Sequence, residues 1–137
     1  ESIVACVTSV IEQTVPAHEI IVVDNRSTDR TVALVEALQA KHPSAGIRLL
    51  HQDDEQGLVP TRNLGLDAAT GEIIGRIDAD TMLEPTWIAT LQRAFDRPEV
   101  GGATGPVIYY DLPFQDALRR TDDALRRTLG RISPDVR

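Results

Sequence analysis

Two carboxylates one residue apart, in Asp78-Ala79-Asp80, close an apolar run that carries Ile73, Ile74 and Ile77. Side chains of an extended segment alternate between faces, so the two acids project to one side if the strand persists through them. Neighbouring anions repel, and they are stable as a pair when a cation, a donor-rich ligand or open water lies between them. A divalent cation with phosphate oxygens meets that demand, because hard cations take carboxylate oxygens. A solvated acidic turn at the end of a strand meets it equally well. A further acid, Asp24, closes a second apolar run, Ile20-Ile21-Val22-Val23.

The elements that must position these acids follow from periodicity. Ile3, Val4, Val7, Val10 and Ile11 recur at helical spacing, and Pro16 ends that segment. Residues 19–24 read as a buried parallel strand, since consecutive apolar residues need cover on both faces. Asn25-Arg26-Ser27-Thr28-Asp29 is turn chemistry, with Ser27 or Thr28 as a natural N-cap and Asp29 suited to the first helical turn. Val32, Val35 and Leu38 then mark a helix to about Lys41, broken by Pro43 and Gly46. Residues 47–51 are a short strand, and Asp53, Asp54 and Glu55 form a solvated loop. A helix over residues 60–69 places Pro60 in its first turn. Residues 71–80 are expected as a third buried strand. Glu84-Pro85 opens a helix with Trp87, Ile88, Leu91 and Phe95 on its apolar side, ended by Pro98. One further strand is expected within residues 100–110, and a charged helical stretch after Pro113.

Strands alternating with helices predict a parallel α/β sheet. Ligands of such sheets bind at the carboxyl ends of the strands, the edge on which Asp24, Asp78 and Asp80 all fall.

Composition narrows the function. The net charge of −7 argues against nucleic acid as a partner, because that affinity comes mainly from neutralising phosphates. It is compatible with one phosphate ligand bound through a metal. Cys6 is the single cysteine, which excludes an internal disulfide and a cysteine-based zinc site and fits a reducing compartment. No apolar run reaches the ~18 residues that a membrane-spanning helix needs. A cytoplasmic location, or one at the cytoplasmic face of the membrane, is therefore expected. Arg119, Arg120, Arg126, Arg127 and Arg131 sit among leucines and suit an anionic membrane surface, while Asp116, Asp122 and Asp123 dilute their charge. Asp122-Asp123 reads as a solvated face. Peripheral membrane contact and self-association both stay open.

Three blocks together resemble the family 2 glycosyltransferases of the GT-A nucleotide-sugar fold. Ile20-Ile21-Val22-Val23-Asp24 with Ser27-Thr28-Asp29 is similar to the family's strand, acid and turn. Gly57 with Thr61-Arg62-Asn63-Leu64-Gly65 is similar to its helix start. Residues 71–80 are similar to its Asp-x-Asp strand. The resemblance implies a GT-A, Rossmann-like, mostly parallel sheet flanked by helices, incomplete in this chain. It assigns donor binding to residues 1–110 and makes residues 111–137 a charged helical extension toward an acceptor half.

The resemblance also implies roles. Asp24 contacts the nucleotide base, Arg62 lies near the nucleotide, and Asp78 lies near the ribose and phosphates. Asp80 ligates the Mg²⁺ or Mn²⁺ that bridges the diphosphate. The reaction implied is metal-dependent transfer of a sugar, with inversion, from a nucleotide-diphosphate sugar to an unknown acceptor: a saccharide, lipid or small molecule. The family's first strand and its general base have no match here. Both are expected outside this chain, so no catalytic residue is assigned. Two other readings stand beside this one: a non-catalytic segment that binds nucleotide weakly or acts through self-assembly, and a nucleotidyltransferase, although no Gly-rich basic phosphate loop is visible.

Each assignment has a plainer counterpart. Asp24 caps the turn that follows it. Arg62 pairs with Asp67 on a helix surface. Arg76 is partly exposed or paired with an acid. His51 receives no role, and Cys6 is half-buried and inert.

Overall fold

Adjacent valines set the layering. The computed structural model describes residues 2–105 and 120–121. In it, strand β1 (Ile20–Asp24) runs parallel to β2 (Ile47–His51), in register from Ile20 opposite Ile47 to Asp24 opposite His51. On one face, Val22, Ile47 and Leu49 pack against Ile3 and Val7 of helix α1 (Ser2–Ile11) and Val35 and Leu38 of α2 (Thr31–Lys41). On the other face lies α3 (Leu58–Ala68). A Cβ on its Gly65 would stand 3.2 Å from Val23 Cγ2, so the absent side chain is what lets helix and strand approach. Successive strand residues face opposite ways, and the run Ile20–Asp24 thus has helices on both sides. Val35 is fully buried at the centre of the α1–α2 cluster. Covering a side chain of that kind contributes about 1.5–3 kcal/mol.

Helix α2 starts later than its turn residues suggest. Asp29 Oδ1 accepts the Thr31 N–H at 2.9 Å, so Asp29 supplies the side-chain acceptor expected of Ser27 or Thr28. At the amino end of the strands, Glu19 ties three elements together. Its Oε1 accepts from the Thr70 N–H at 2.6 Å and the Thr70 hydroxyl at 2.7 Å, and its Oε2 from Arg48 at 2.5 Å. Arg48 also donates to the Ala68 carbonyl at 2.9 Å, which closes the last turn of α3 onto β2.

The third expected strand does not form. Residues 71–80 run without a ladder, and Ile73 and Ile74 are 38% and 51% exposed. A strand needs a neighbour to take its N–H and C=O groups. Among the described residues the sheet has two strands, β1 and β2. The parallel α/β architecture stands, with fewer strands than expected. Helix α4 (Trp87–Phe95) begins beyond Glu84-Pro85, with the Trp87 N–H bonded to the Glu84 carbonyl at 3.0 Å.

The chain divides into two compact units, Glu1–Arg93 and Ala94–Arg137. Within the second, the Val100 N–H closes a turn onto the Arg97 carbonyl at 3.0 Å, and residues 101–105 are irregular rather than a strand. Arg120 and Thr121 are helical. The rest of the charged stretch after Pro113, with Asp122-Asp123 and Arg119, Arg126, Arg127 and Arg131, lies outside the described residues, as do residues 106–110 of the expected strand.

Candidate functional site

Asp24 stands at the carboxyl end of β1 with only 6% of its surface exposed. A buried carboxylate needs partners, and it has two. Oδ1 accepts the Ser27 N–H at 3.1 Å, and Oδ2 lies 3.5 Å from His51 Nδ1 on β2. Burial pushes the Asp24 carboxyl up, but the Ser27 donors and His51 outweigh it and leave it below the ordinary value of 3.8. Asp24 therefore does cap its turn, while its second oxygen faces the neighbouring strand end.

The loops after β1 and β2 are laced together. The Gln52 N–H donates to the Asp24 carbonyl at 2.8 Å, the Gly57 N–H to Asn25 Oδ1 at 3.3 Å, and the Arg26 guanidinium to the Asp53 carbonyl. Arg26 takes a left-handed φ of 59°, uncommon for a residue with a side chain and located at the rim where the ligand edge of such a sheet lies. The acidic side chains of Asp53, Asp54 and Glu55 are exposed, as expected.

The bond from Gly57 to Asn25 sets the start of α3 at this rim. Arg62 follows one turn later and reaches the residues 71–80 segment, with Nη2 3.6 Å from Asp78 Oδ1. Arg76 Nη1 lies 3.9 Å from the same oxygen. The partner of Arg62 is thus Asp78 rather than Asp67, and Arg76 is exposed and acid-paired. Asp78 itself is 69% exposed.

The two acids do not share one extended strand. The Thr81 N–H bonds to the Asp78 carbonyl at 3.0 Å, so the chain turns between them and the alternation rule no longer fixes their directions. The Asp78 carbonyl also accepts the Cys6 thiol at 3.6 Å. Cys6 is buried rather than half-buried. Its thiol is pushed up by burial first and by the charge of Asp80 second. Asp80 is exposed, and its carboxylate is a hard oxygen donor of the kind that divalent cations take. Among the described residues, no three His, Cys, Asp or Glu side chains gather into a metal cage.

The stretch after Asp80 is fastened to α1. Buried Gln13 donates through Nε2 to the carbonyls of Ser9 at 3.0 Å and Glu84 at 2.8 Å, and its Oε1 accepts the Ile88 N–H at 3.0 Å. The Leu83 N–H bonds to Ser9 Oγ at 3.0 Å and the Thr14 N–H to the Pro85 carbonyl at 2.8 Å.

Two groupings result: Asp24 with His51, and Arg62 with Arg76 and Asp78, followed by Asp80. Sequence reasoning passed over His51. Its place follows from the observed ladder, in which both strands are five residues long and their last residues stand opposite each other.

A parallel two-stranded sheet with helices on both faces and Asp24 at its carboxyl rim is an α/β architecture. A family model described as Glycosyl transferase family 2 matches residues 1–133. The chain belongs to that family. It is 30% identical over 109 residues to Glycosyltransferase GlyG of Streptococcus pneumoniae, covering 80% of this chain and 36% of the relative. It is 38% identical over 86 residues to the uncharacterized glycosyltransferase YibD of Escherichia coli, covering 63% and 24%. It is 34% identical over 103 residues to the succinoglycan biosynthesis protein ExoO of Rhizobium meliloti, covering 75% and 28%. The chain thus spans about a quarter to a third of the length of these curated relatives. No helix among the described residues is long and apolar enough to cross a membrane.

Proposed function

We propose that the chain supplies the donor-binding part of a glycosyltransferase that takes its sugar from a nucleotide-diphosphate sugar. The observation that carries this reading is the Arg62–Asp78 contact at 3.6 Å, because it seats a cation of α3, the helix that starts against the loop after β1, beside the segment carrying both acids. In this reading Asp24 meets the base, Arg62 the nucleotide, and Asp78 the ribose and phosphates. Asp80 holds Mg²⁺ or Mn²⁺. That ion, when bound, offsets the charge that develops on the departing diphosphate.

An acceptor hydroxyl attacks the anomeric carbon, the bond from that carbon to the diphosphate oxygen breaks, and the configuration inverts. The hydroxyl proton passes to a base that is none of these four residues. The nucleoside diphosphate is the other product.

The test is titration of the protein with UDP and GDP, with and without Mn²⁺, followed by calorimetry. Metal-dependent binding of either nucleotide that is lost in Asp80→Ala supports the donor site. Absence of nucleotide binding by the intact protein in Mn²⁺ rejects it.

A further inference from the structure

We propose that His51 is a positioning residue for base recognition, acting through Asp24; this rests on the donor-site reading above. A carboxylate turns easily about its terminal torsion, which is broad rather than three-welled. One that must select a base edge has to hold its plane. Asp24 is gripped at both oxygens. The Ser27 N–H takes Oδ1 at 3.1 Å, and His51 Nδ1 faces Oδ2 at 3.5 Å.

The backbone brings the two residues side by side. The ladder pairs Asp24 with His51, and the next residue, Gln52, donates its N–H to the Asp24 carbonyl at 2.8 Å. His51 is therefore fixed at its Cα relative to Asp24 and has little room to drift. The two side chains divide the work by exposure. Asp24 is buried, while the His51 side chain is 47% exposed. With His51 in place the carboxylate presents one face. Without it, the plane is held at one oxygen and rotates about that bond.

The test measures affinities of the protein for UDP and GDP in Mn²⁺ by calorimetry. His51→Leu should weaken the tighter nucleotide by about tenfold, the worth of one hydrogen bond to a charged group, and should narrow the UDP-to-GDP ratio. His51→Asn should keep both affinity and ratio, because its amide nitrogen falls where Nδ1 lies. In an Asp24→Asn background, His51→Leu should add nothing, since coupled residues are non-additive. Thermal unfolding checks that each variant is folded. If His51→Leu is not, His51→Phe keeps the ring without the nitrogens and replaces it.

An Asp24→Ala variant separates the two readings. If it weakens nucleotide binding while His51→Leu or His51→Phe leaves affinity and ratio unchanged, His51 is a bystander and the proposal is overturned. If Asp24→Ala itself changes nothing, the assignment of Asp24 to the base falls, and this proposal with it.

Discussion

Arg62 Nη2 lies 3.6 Å from Asp78 Oδ1, joining α3 to a segment that the sheet does not hold. Both partners are open to solvent, at 37% and 69% side-chain exposure. An exposed ion pair contributes at most about 1 kcal/mol to folding. Arg62→Ala should therefore shift the unfolding temperature by only a few degrees. It should weaken UDP or GDP binding in Mn²⁺ by about tenfold, as one lost ionic contact to phosphate would. Calorimetry paired with thermal melting reads both quantities. A large loss of stability with unchanged affinity would make the pair a structural strut.

Gly75 and Trp87 report on the same segment. A Cβ on Gly75 would stand 2.8 Å from Trp87 Cη2, closer than two carbons come without something moving. Trp87 is the chain's single tryptophan, so its emission is an unambiguous readout. Gly75→Ala should displace the indole, change the emission maximum and destabilise the fold by about 1 kcal/mol. Overpacking of about 1–3 kcal/mol is partly offset by the lower entropy of the unfolded alanine chain. An unchanged spectrum would mean that residues 71–80 yield instead of the ring.

Glu19 gives acid sensitivity a definite window. The Thr70 hydroxyl, then the Thr70 N–H and then Arg48 hold its carboxyl down at about 2, against an ordinary 4.5. The folded value is the lower one, so the stabilisation is complete above pH 4.5 and is lost as pH falls through about 2. Urea midpoints measured across this range should decline for the native protein and decline less for Glu19→Gln. Equal slopes for the two proteins would remove Glu19 from the acid response.

The fold class was legible wherever the physics is local or two-sided. Ile20-Ile21-Val22-Val23 announces a strand because only cover on both faces accommodates it, and α2 with α1 on one side and α3 on the other provide that cover. The isoleucines of residues 71–80 send the same signal, yet Ile74 is 51% exposed. Apolar composition states a demand for burial; a strand also needs a neighbouring backbone, which no residue's own type reports. The same reason undid the expected alignment of Asp78 and Asp80, since alternation holds only while the chain stays extended.

The candidate residues could be named from the sequence, but the pairs they form could not. Asp24, Asp78 and Asp80 were singled out as acids that close apolar runs, and Arg62 by the family resemblance. That Arg62 reaches Asp78 instead of Asp67, its neighbour in sequence, depends on where α3 begins, and the bond from Gly57 to Asn25 decides that. His51 received no role because a lone histidine at a strand end carries no pattern; its place beside Asp24 comes from the register of two strands.

Gln13 gives the acid pair an unusual datum. Its amide supplies two donors and one acceptor to three backbone groups of Ser9, Glu84 and Ile88. Glutamate lacks the donors, asparagine is a methylene short, and an aliphatic side chain has neither function. Position 13 is thus a keyed joint that accepts one residue type. The stretch leading away from Asp80 is surveyed from the carboxyl end of α1 rather than from the sheet. Any slip of that helix along its axis would strain the bonds that hold residues 83–88 against it, three residues and more beyond Asp80.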